Sequence, residues 1–161
     1  MWDTTGSILE VGAYVGKTFN HLHKYRPNWD YVGVDTWELF PVPLCDPEEG
    51  HDPANFDMPM LHSKYFKENC PFSNYFVDKY ENFNFEKNSF DIIILSAIAP
   101  EDKLNIRLHY KKAVDEIKED GIIIGRFLNH PLFGKGIRES LDILNLENFI
   151  EDESGGVFAI W

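Results

Sequence analysis

The sequence predicts an α/β fold in which a mostly parallel sheet of seven short strands carries helices on both faces. Five apolar or β-branched runs recur between polar segments with helical spacing, and two more strand-like runs end the chain. Short continuous apolar runs are typical of parallel strands that are buried on both faces. The last two runs flank a Ser-Gly-Gly turn at 154–156, which predicts an antiparallel hairpin at one edge of the sheet.

The individual elements follow from these patterns. Parallel strands are predicted at 8–12, 31–35, 74–78, 90–97 and 121–127. A helix follows the first strand, with Phe19, Leu22 and Tyr25 at helical spacing before Pro27. A later helix, predicted to stop at 119–121, presents one apolar face formed by Ile106, Tyr110, Ala113, Val114 and Ile117. A third spans roughly 134–146, with Ile137, Leu141 and Leu144 facing inward.

A long connection at about 38–73 interrupts this pattern. It is rich in Pro and aromatic residues, and its segment 60–69 is expected to supply a helix of its own. Connections of this length inside a compact domain are usually functional. We therefore expect substrate selection to reside there and in 98–105.

Composition limits the classes of protein. The 161 residues and 43% hydrophobic content suit one domain over 1–161. The net charge of −12 repels phosphate backbones and anionic membranes, so we expect no nucleic-acid or membrane partner, and it favours a neutral or cationic substrate. Cys45 and Cys70 have no metal-site spacing, and no leader segment is recognisable, which predicts a soluble cytoplasmic protein.

A glycine loop joins the first strand to the first helix. Gly12 and Gly16 permit positive φ and let a ligand approach the backbone closely. Ligands of parallel sheets bind beyond the carboxyl ends of the strands, where the strand order reverses. The G-x-x-x-G spacing differs from the G-x-G-x-x-G of dinucleotide sites, and Glu10 lies where a pyrophosphate would have to bind. A dinucleotide or nucleotide sugar is therefore disfavoured.

Two carboxylates favour a cationic nucleoside instead. Glu10 would attract an ammonium or sulfonium group. Asp35 ends the second strand, a position from which an acid accepts hydrogen bonds from ribose hydroxyls. S-adenosylmethionine (SAM) carries both cations and no phosphate, and so matches both acids. The alternatives are that Glu10 is an exposed acid at a strand end and that Asp35 is a turn residue or helix N-cap.

Successive segments of the chain, taken in order, resemble the motifs of class I SAM-dependent methyltransferases. These segments are ILEVGAYVGKT, YVGVDTW, DKYENFNFEKNSFDIIILSAI, EDGIIIGRF and GGVFAIW. The resemblance covers nearly the whole chain. It implies a Rossmann-like fold, SAM as the cofactor, and transfer of its methyl group to a small-molecule or protein acceptor.

The resemblance also implies a cofactor-binding set at the ends of the first four strands. The glycine loop and its helix contribute Glu10, Gly12, Ala13, Tyr14, Gly16 and Thr18. By the same resemblance Asp35 holds the ribose, Thr36 and Trp37 lie beside the adenosine, Asp78 and Lys79 lie near the adenine, and Ser96 and Ala97 lie near the methionine and the transferred methyl group. Trp37 could instead be a packing aromatic, and Asp78 a simple turn acid.

No catalytic triad is visible, and none is required. Methyl transfer from a sulfonium is an in-line displacement, which needs a base only where the acceptor must lose a proton. Candidates for that base are His130 and His109, with Glu101 and His51 as further possibilities. We expect His21 and His23 to be solvated on the first helix, and 45–53, with its thiol, imidazole and carboxylates, to be a loop and not a metal site.

The sequence departs from some members of this family. Ser96-Ala97-Ile98 and Arg126-Phe127-Leu128 stand where metal-dependent relatives carry Asp and His-Asp, which disfavours a catechol-type metal mechanism. No Asn-Pro-Pro-Tyr signature follows the fourth strand, and the leading helices that commonly cover the cofactor are absent. A second function therefore stays open, a methyltransferase-like binding module or subunit without activity. The apolar C-terminal VFAIW also leaves a homo-oligomer open.

Overall fold

A computed structural model describes residues 5–36, 59–96, 103–131, 133–146, 149–152 and 156–160. The strands of this part of the chain are β1 (Ser7–Val11), β2 (Asp30–Asp35), β3 (Asn74–Val77), β4 (Phe90–Leu95), β5 (Ile117–Arg126), β6 (Phe149–Glu151) and β7 (Val157–Ile160). Its α-helices are α1 (Lys17–His23), α2 (Pro59–Asn69), α3 (Lys103–Glu116) and α4 (Gly134–Ile143), and a 3-10 turn spans Tyr80–Asn82. None of these helices has the length and apolar character that crossing a membrane requires.

The strands form one sheet in the order β3-β2-β1-β4-β5-β7-β6. Neighbours from β3 to β5 are parallel, whereas β7 runs antiparallel to both β5 and β6. The chain leaves β1 toward β2 and β3 and returns to the other side of β1 with β4. The strand order therefore reverses between β1 and β4, where a parallel sheet offers its ligand crevice. The predicted fold class, including the antiparallel hairpin, is confirmed.

Helices cover both faces of the sheet because β1 and its neighbours alternate between two apolar clusters. On one face, Ile8 packs with Phe19 of α1 and Phe66 of α2. On the opposite face, Leu9 packs with Tyr110 of α3 and with buried residues of α4. Successive side chains of these strands therefore point alternately to the two faces of the sheet.

Two of the predicted helices are confirmed with changed ends. The helix expected at 60–69 is α2, which forms the crossover from β2 to β3; residues 37–58 of the long connection lie outside the described residues. The helix expected at 134–146 is α4, which ends at Ile143, with Ile137 and Leu141 buried as predicted.

Three local predictions are wrong. Ile117 is the first residue of β5, because it pairs with Phe90 of β4, so the expected helix stop at 119–121 lies inside a strand. Strand pairing outweighs the turn preference of that segment. Tyr25 lies beyond the end of α1 and is exposed. Val114 lies on the side of α3 that faces away from the apolar core, and it is 39% exposed.

Candidate functional site

The register of the central strands brings most of the predicted cofactor residues to one edge of the sheet. The amide of Gly12 donates to the carbonyl of Val34 at 2.8 Å, and the amide of Ser96 donates to the carbonyl of Val11 at 2.9 Å. The ends of β1, β2 and β4 are therefore level. This edge carries Glu10, Gly12, Asp35 and Ser96, and the loop and helix that follow β1 carry Ala13, Tyr14, Gly16 and Thr18.

Glu10 is buried within the crevice and is not an exposed acid. Its residue is only 2% exposed, because it faces the same side of the sheet as Ile8, under α1 and α2. The hydroxyl of Ser96 donates to its Oε1 at 2.7 Å. Its Oε2 is buried and makes no hydrogen bond of normal geometry with any described residue. A buried acceptor of this kind carries a desolvation cost until a donor reaches it.

Burial raises the pKa of Glu10 to about 7. The hydroxyls of Ser96 and Thr18 and the charge of Arg126 act in the opposite direction on this pKa, and the charge of Asp35 adds to the rise. Desolvation is the largest of these effects because it penalises the charged form. A cation placed against Oε2 would favour the ionised form and lower this pKa.

Asp35 ties the glycine loop to the end of β2. Its Oδ2 accepts the amide of Tyr14 at 2.9 Å, and its Oδ1 accepts the amide of Thr36 at 2.6 Å. Tyr14 has a positive φ of 48°, so the carboxylate holds a backbone conformation that few residues adopt. Asp35 therefore holds the turn of the glycine loop at the carboxyl end of β2.

The end of α2 braces the glycine loop from the other side. Gly16 has a φ of +76°, and a Cβ placed on it would lie 2.4 Å from Sγ of Cys70. The thiol donates to the carbonyl of Gly16 at 3.2 Å, and burial raises its pKa to about 11, which keeps it protonated. Nδ2 of Asn69 donates to the carbonyl of Val15 at 3.0 Å. Sequence reasoning missed both Asn69 and Cys70, since no local pattern shows that α2 ends against this loop.

Asp78 and Lys79 follow β3 at the same edge. The amide of Asp78 donates to the carbonyl of Asp35 at 3.0 Å. Oδ1 of Asp78 accepts the amide of Lys79 at 2.7 Å and the side-chain amide of Asn82 at 2.8 Å. Asp78 thus bonds within its own turn, as in the simple alternative for this residue. Trp37 and Ala97, which complete the predicted set, lie outside the described residues.

The two histidine candidates are placed differently. His109 is buried on α3, with Nε2 3.0 Å from Oε2 of Glu81 and its ring edge-on to Tyr80. His130 follows β5 and stacks on Phe133 at 4.4 Å. Neither has a described contact with the Glu10 carboxyl group, and their catalytic role stays a prediction. Glu101 and His51 lie outside the described residues.

The expectation that His23 is solvated is wrong, because its ring stacks on Phe72 at 3.7 Å and 6°. A surface cavity of about 460 Å³ lies between the loop after β5 and α4, and no predicted cofactor residue lines it. Within the described ranges, no group of three or more His, Cys, Asp or Glu side chains could hold a metal ion; the stretch 45–53 lies outside them.

Comparison with known proteins gives a match at the level of the fold. No family model matches the chain, and no curated protein matches it significantly. Among solved structures, the chain is similar to a TehB-like SAM-dependent methyltransferase from Corynebacterium glutamicum, with a TM-score of 0.61 and 18% identity over 96% of this chain and 78% of that one. It is also similar to precorrin-6y C5,15-methyltransferase from Geobacter metallireducens, with a TM-score of 0.62 and 8% identity over 98% and 80% of the two chains.

A third similar structure contains a ligand. It is phosphoethanolamine N-methyltransferase 1 from Haemonchus contortus in complex with phosphoethanolamine and S-adenosylhomocysteine, with a TM-score of 0.56 and 11% identity. The match covers 76% of this chain but only 22% of that enzyme. The chain therefore has the Rossmann-like fold of class I SAM-dependent methyltransferases, as the resemblance implied. At these identities the comparisons show the fold alone.

Proposed function

We propose that the protein is a SAM-dependent methyltransferase that transfers the methyl group of SAM to a small-molecule or protein acceptor. The observation that carries this proposal is Oε2 of Glu10, a buried carboxyl oxygen that makes no hydrogen bond of normal geometry with a described residue, at the edge where the strand order reverses. The ammonium group of a ligand would supply the missing donor and the opposite charge.

The neighbouring groups fit the rest of SAM. The Asp35 carboxylate would meet the ribose hydroxyls at the end of β2, and Asp78 and Lys79, which follow β3 at the same edge, would lie on the adenine side. A pyrophosphate in the same crevice would lie against the Glu10 carboxylate, which would repel it. The charge pattern thus supports SAM over a dinucleotide.

Each residue of the site would have its own role in such a reaction. The bound SAM would supply a methyl group on a sulfonium, which leaves as a neutral thioether when the acceptor attacks. Glu10 would anchor the amino-acid end and Asp35 the ribose, so that the methyl group is oriented toward the acceptor. Alignment of this kind supplies much of the rate of a displacement. Ser96 would keep Glu10 in position through its hydrogen bond.

Calorimetry tests the ligand class directly. The protein is titrated with SAM, S-adenosylhomocysteine and NAD, in wild type and in Asp35→Asn. Binding of the first two ligands but not NAD is expected, with affinity reduced about tenfold or more in Asp35→Asn, since hydrogen bonds to a charged group are among the stronger ones. Asp30→Asn, an exposed acid at the opposite end of β2, is the matched control and should bind normally. Binding of NAD in place of SAM would contradict the proposal.

Transfer of labelled methyl groups separates the enzyme from the binding module. Wild-type protein is incubated with methyl-labelled SAM and a panel of small-molecule and protein acceptors. Label in an acceptor supports the enzyme. SAM binding without transfer to any acceptor would support the alternative, a methyltransferase-like binding module.

A further inference from the structure

Arg126 is a half-buried cation at the edge of the sheet, on the side of β1 away from Asp35. It is the last residue of β5, next to the end of β4. Alternation along β5 places it on the same face as Ile124, which packs with the α1 and α2 cluster. This is also the face of Glu10, and the charge of Arg126 reaches that carboxyl group, since it lowers its pKa.

The guanidinium of Arg126 has no hydrogen bond or ion pair with any other described residue. This contrasts with Arg138, which pairs with Asn129 and Glu151. A partly desolvated guanidinium has five donors to satisfy and cannot lose its charge. The sulfonium of a bound cofactor would add a positive charge on this side of the crevice, and an anion between the sulfonium and the guanidinium would offset their repulsion.

The surface around Arg126 is apolar. On β7, Val157 lies directly opposite Arg126 and is 39% exposed. Ala159 lies opposite Ile124, and both are half-buried. Opposed residues of antiparallel strands project from the same face, so these side chains form an apolar floor beside the cation.

We propose that Arg126 binds the anionic group of the methyl acceptor, and that the acceptor is a molecule with an apolar body and a carboxylate or phosphate group. This inference rests on the proposed function. It differs from the expectation drawn from the net charge of −12, because dispersed surface charges are screened by salt whereas a partly buried pair is not.

The position of Arg126 favours the acceptor over the cofactor as the source of the anion. The sulfonium is bonded directly to C5′ of the ribose, so a ribose held at Asp35 keeps the methyl group near β1 and β4. Arg126 lies one strand farther from Asp35 than Ser96 does, beyond β4. An acceptor that approaches the methyl group from the β5 side would meet the guanidinium, whereas the ammonium group of the cofactor is matched by Glu10 on β1.

The side-chain Nε–Hε signal of Arg126 in NMR spectra tests the proposal, with Arg126→Lys to assign it. Wild-type protein is first saturated with S-adenosylhomocysteine and then titrated with benzoate, phenyl phosphate and, as the neutral control, benzamide. We expect a saturable shift of the signal with at least one anion and none with benzamide. Arg126→Gln should weaken anion binding about tenfold or more and leave the affinity for S-adenosylhomocysteine within about twofold.

Arg107→Gln is the matched control, since it removes the same group from the exposed surface of α3 and should change neither affinity. A signal that shifts on addition of S-adenosylhomocysteine alone would assign Arg126 to the cofactor carboxylate and overturn the inference. No shift with any anion would overturn it as well. If S-adenosylhomocysteine fails to bind, the proposed function fails separately, while the response of Arg126 to the anions is still measured in the free protein.

Discussion

Replacing Glu10 by Gln isolates the ionisation of the buried carboxyl group. The amide has nearly the same shape, and its Oε1 still accepts the hydroxyl of Ser96. It cannot ionise, so every effect that depends on the Glu10 charge disappears. Two quantities should change: the pH dependence of the free energy of unfolding and the pH dependence of ligand affinity.

The effect on stability follows from the raised pKa. Between the ordinary value of 4.5 and the folded value of about 7, the native state binds more protons than the unfolded state, so stability falls as pH rises. For these two values the fall from pH 5.5 to pH 7.5 is about 2 kcal/mol. The full shift corresponds to about 3 kcal/mol, all of it lost once the pH exceeds the folded pKa. Glu10→Gln lacks this loss and should be the more stable protein at pH 7.5.

The effect on binding has the opposite direction. A ligand ammonium group requires the ionised carboxylate, whose fraction in the free protein rises about eightfold between pH 6.0 and pH 7.5 for a pKa of about 7. The affinity for S-adenosylhomocysteine should rise by that factor in wild type. In Glu10→Gln it should be at least tenfold weaker at pH 7.5 and nearly independent of pH.

Urea denaturation at pH 5.5 and 7.5, with calorimetry at pH 6.0 and 7.5, measures both effects. Glu119→Gln, an exposed acid on β5, is the control and should follow wild type. Equal pH dependence of unfolding in wild type and Glu10→Gln would refute the claim that this carboxyl is buried with a raised pKa. An unchanged affinity in Glu10→Gln would refute its role in holding a cation.

Further predictions concern the fold around the site and are checked by urea denaturation. Gly16→Ala should lose about 2 kcal/mol or more and weaken SAM binding, because its Cβ would meet the Cys70 thiol at a positive φ. Tyr110→Phe should gain about 1 kcal/mol, because its buried hydroxyl has no partner among the described residues. Tyr80→Phe, the matched change, should instead lose about 2 kcal/mol, because its hydroxyl donates to the buried carboxylate of Glu116 at 2.5 Å.

Much of the sheet edge that carries Glu10 and Asp35 could be predicted from the sequence, because the features that define this edge are local. An apolar strand that runs into a glycine loop fixes where the loop lies, and the parallel register then brings the next strand ends to the same level. Glu10 and Asp35 could therefore be placed together without any tertiary information. The antiparallel pairing of β6 with β7 was predictable for the same reason, because a Ser-Gly-Gly sequence separates two strand-like runs.

The remaining features depend on contacts between distant segments. The brace formed by Asn69 and Cys70 needs the end of α2 to lie against the glycine loop, which no spacing in the sequence indicates. The early start of β5 depends on pairing of Ile117 with Phe90. The burial of Glu10, which decides its pKa, likewise depends on the helices above it and not on its neighbours in the chain.

The charges at the sheet edge form an ordered row, and their order is a stronger guide to function than the fold, which serves unrelated acceptors. From β3 to β5 the acids Asp78, Asp35 and Glu10 are followed by Arg126, and a second cation, Lys79, lies beside Asp78 at the β3 end. The acids extend over the strands that a cationic nucleoside would cover, and Arg126 lies one strand beyond Ser96, where the proposed methyl group would lie. A positively charged methyl donor would meet the acids, and a negatively charged methyl acceptor would meet Arg126. The attraction between donor and acceptor would also draw the reacting atoms together.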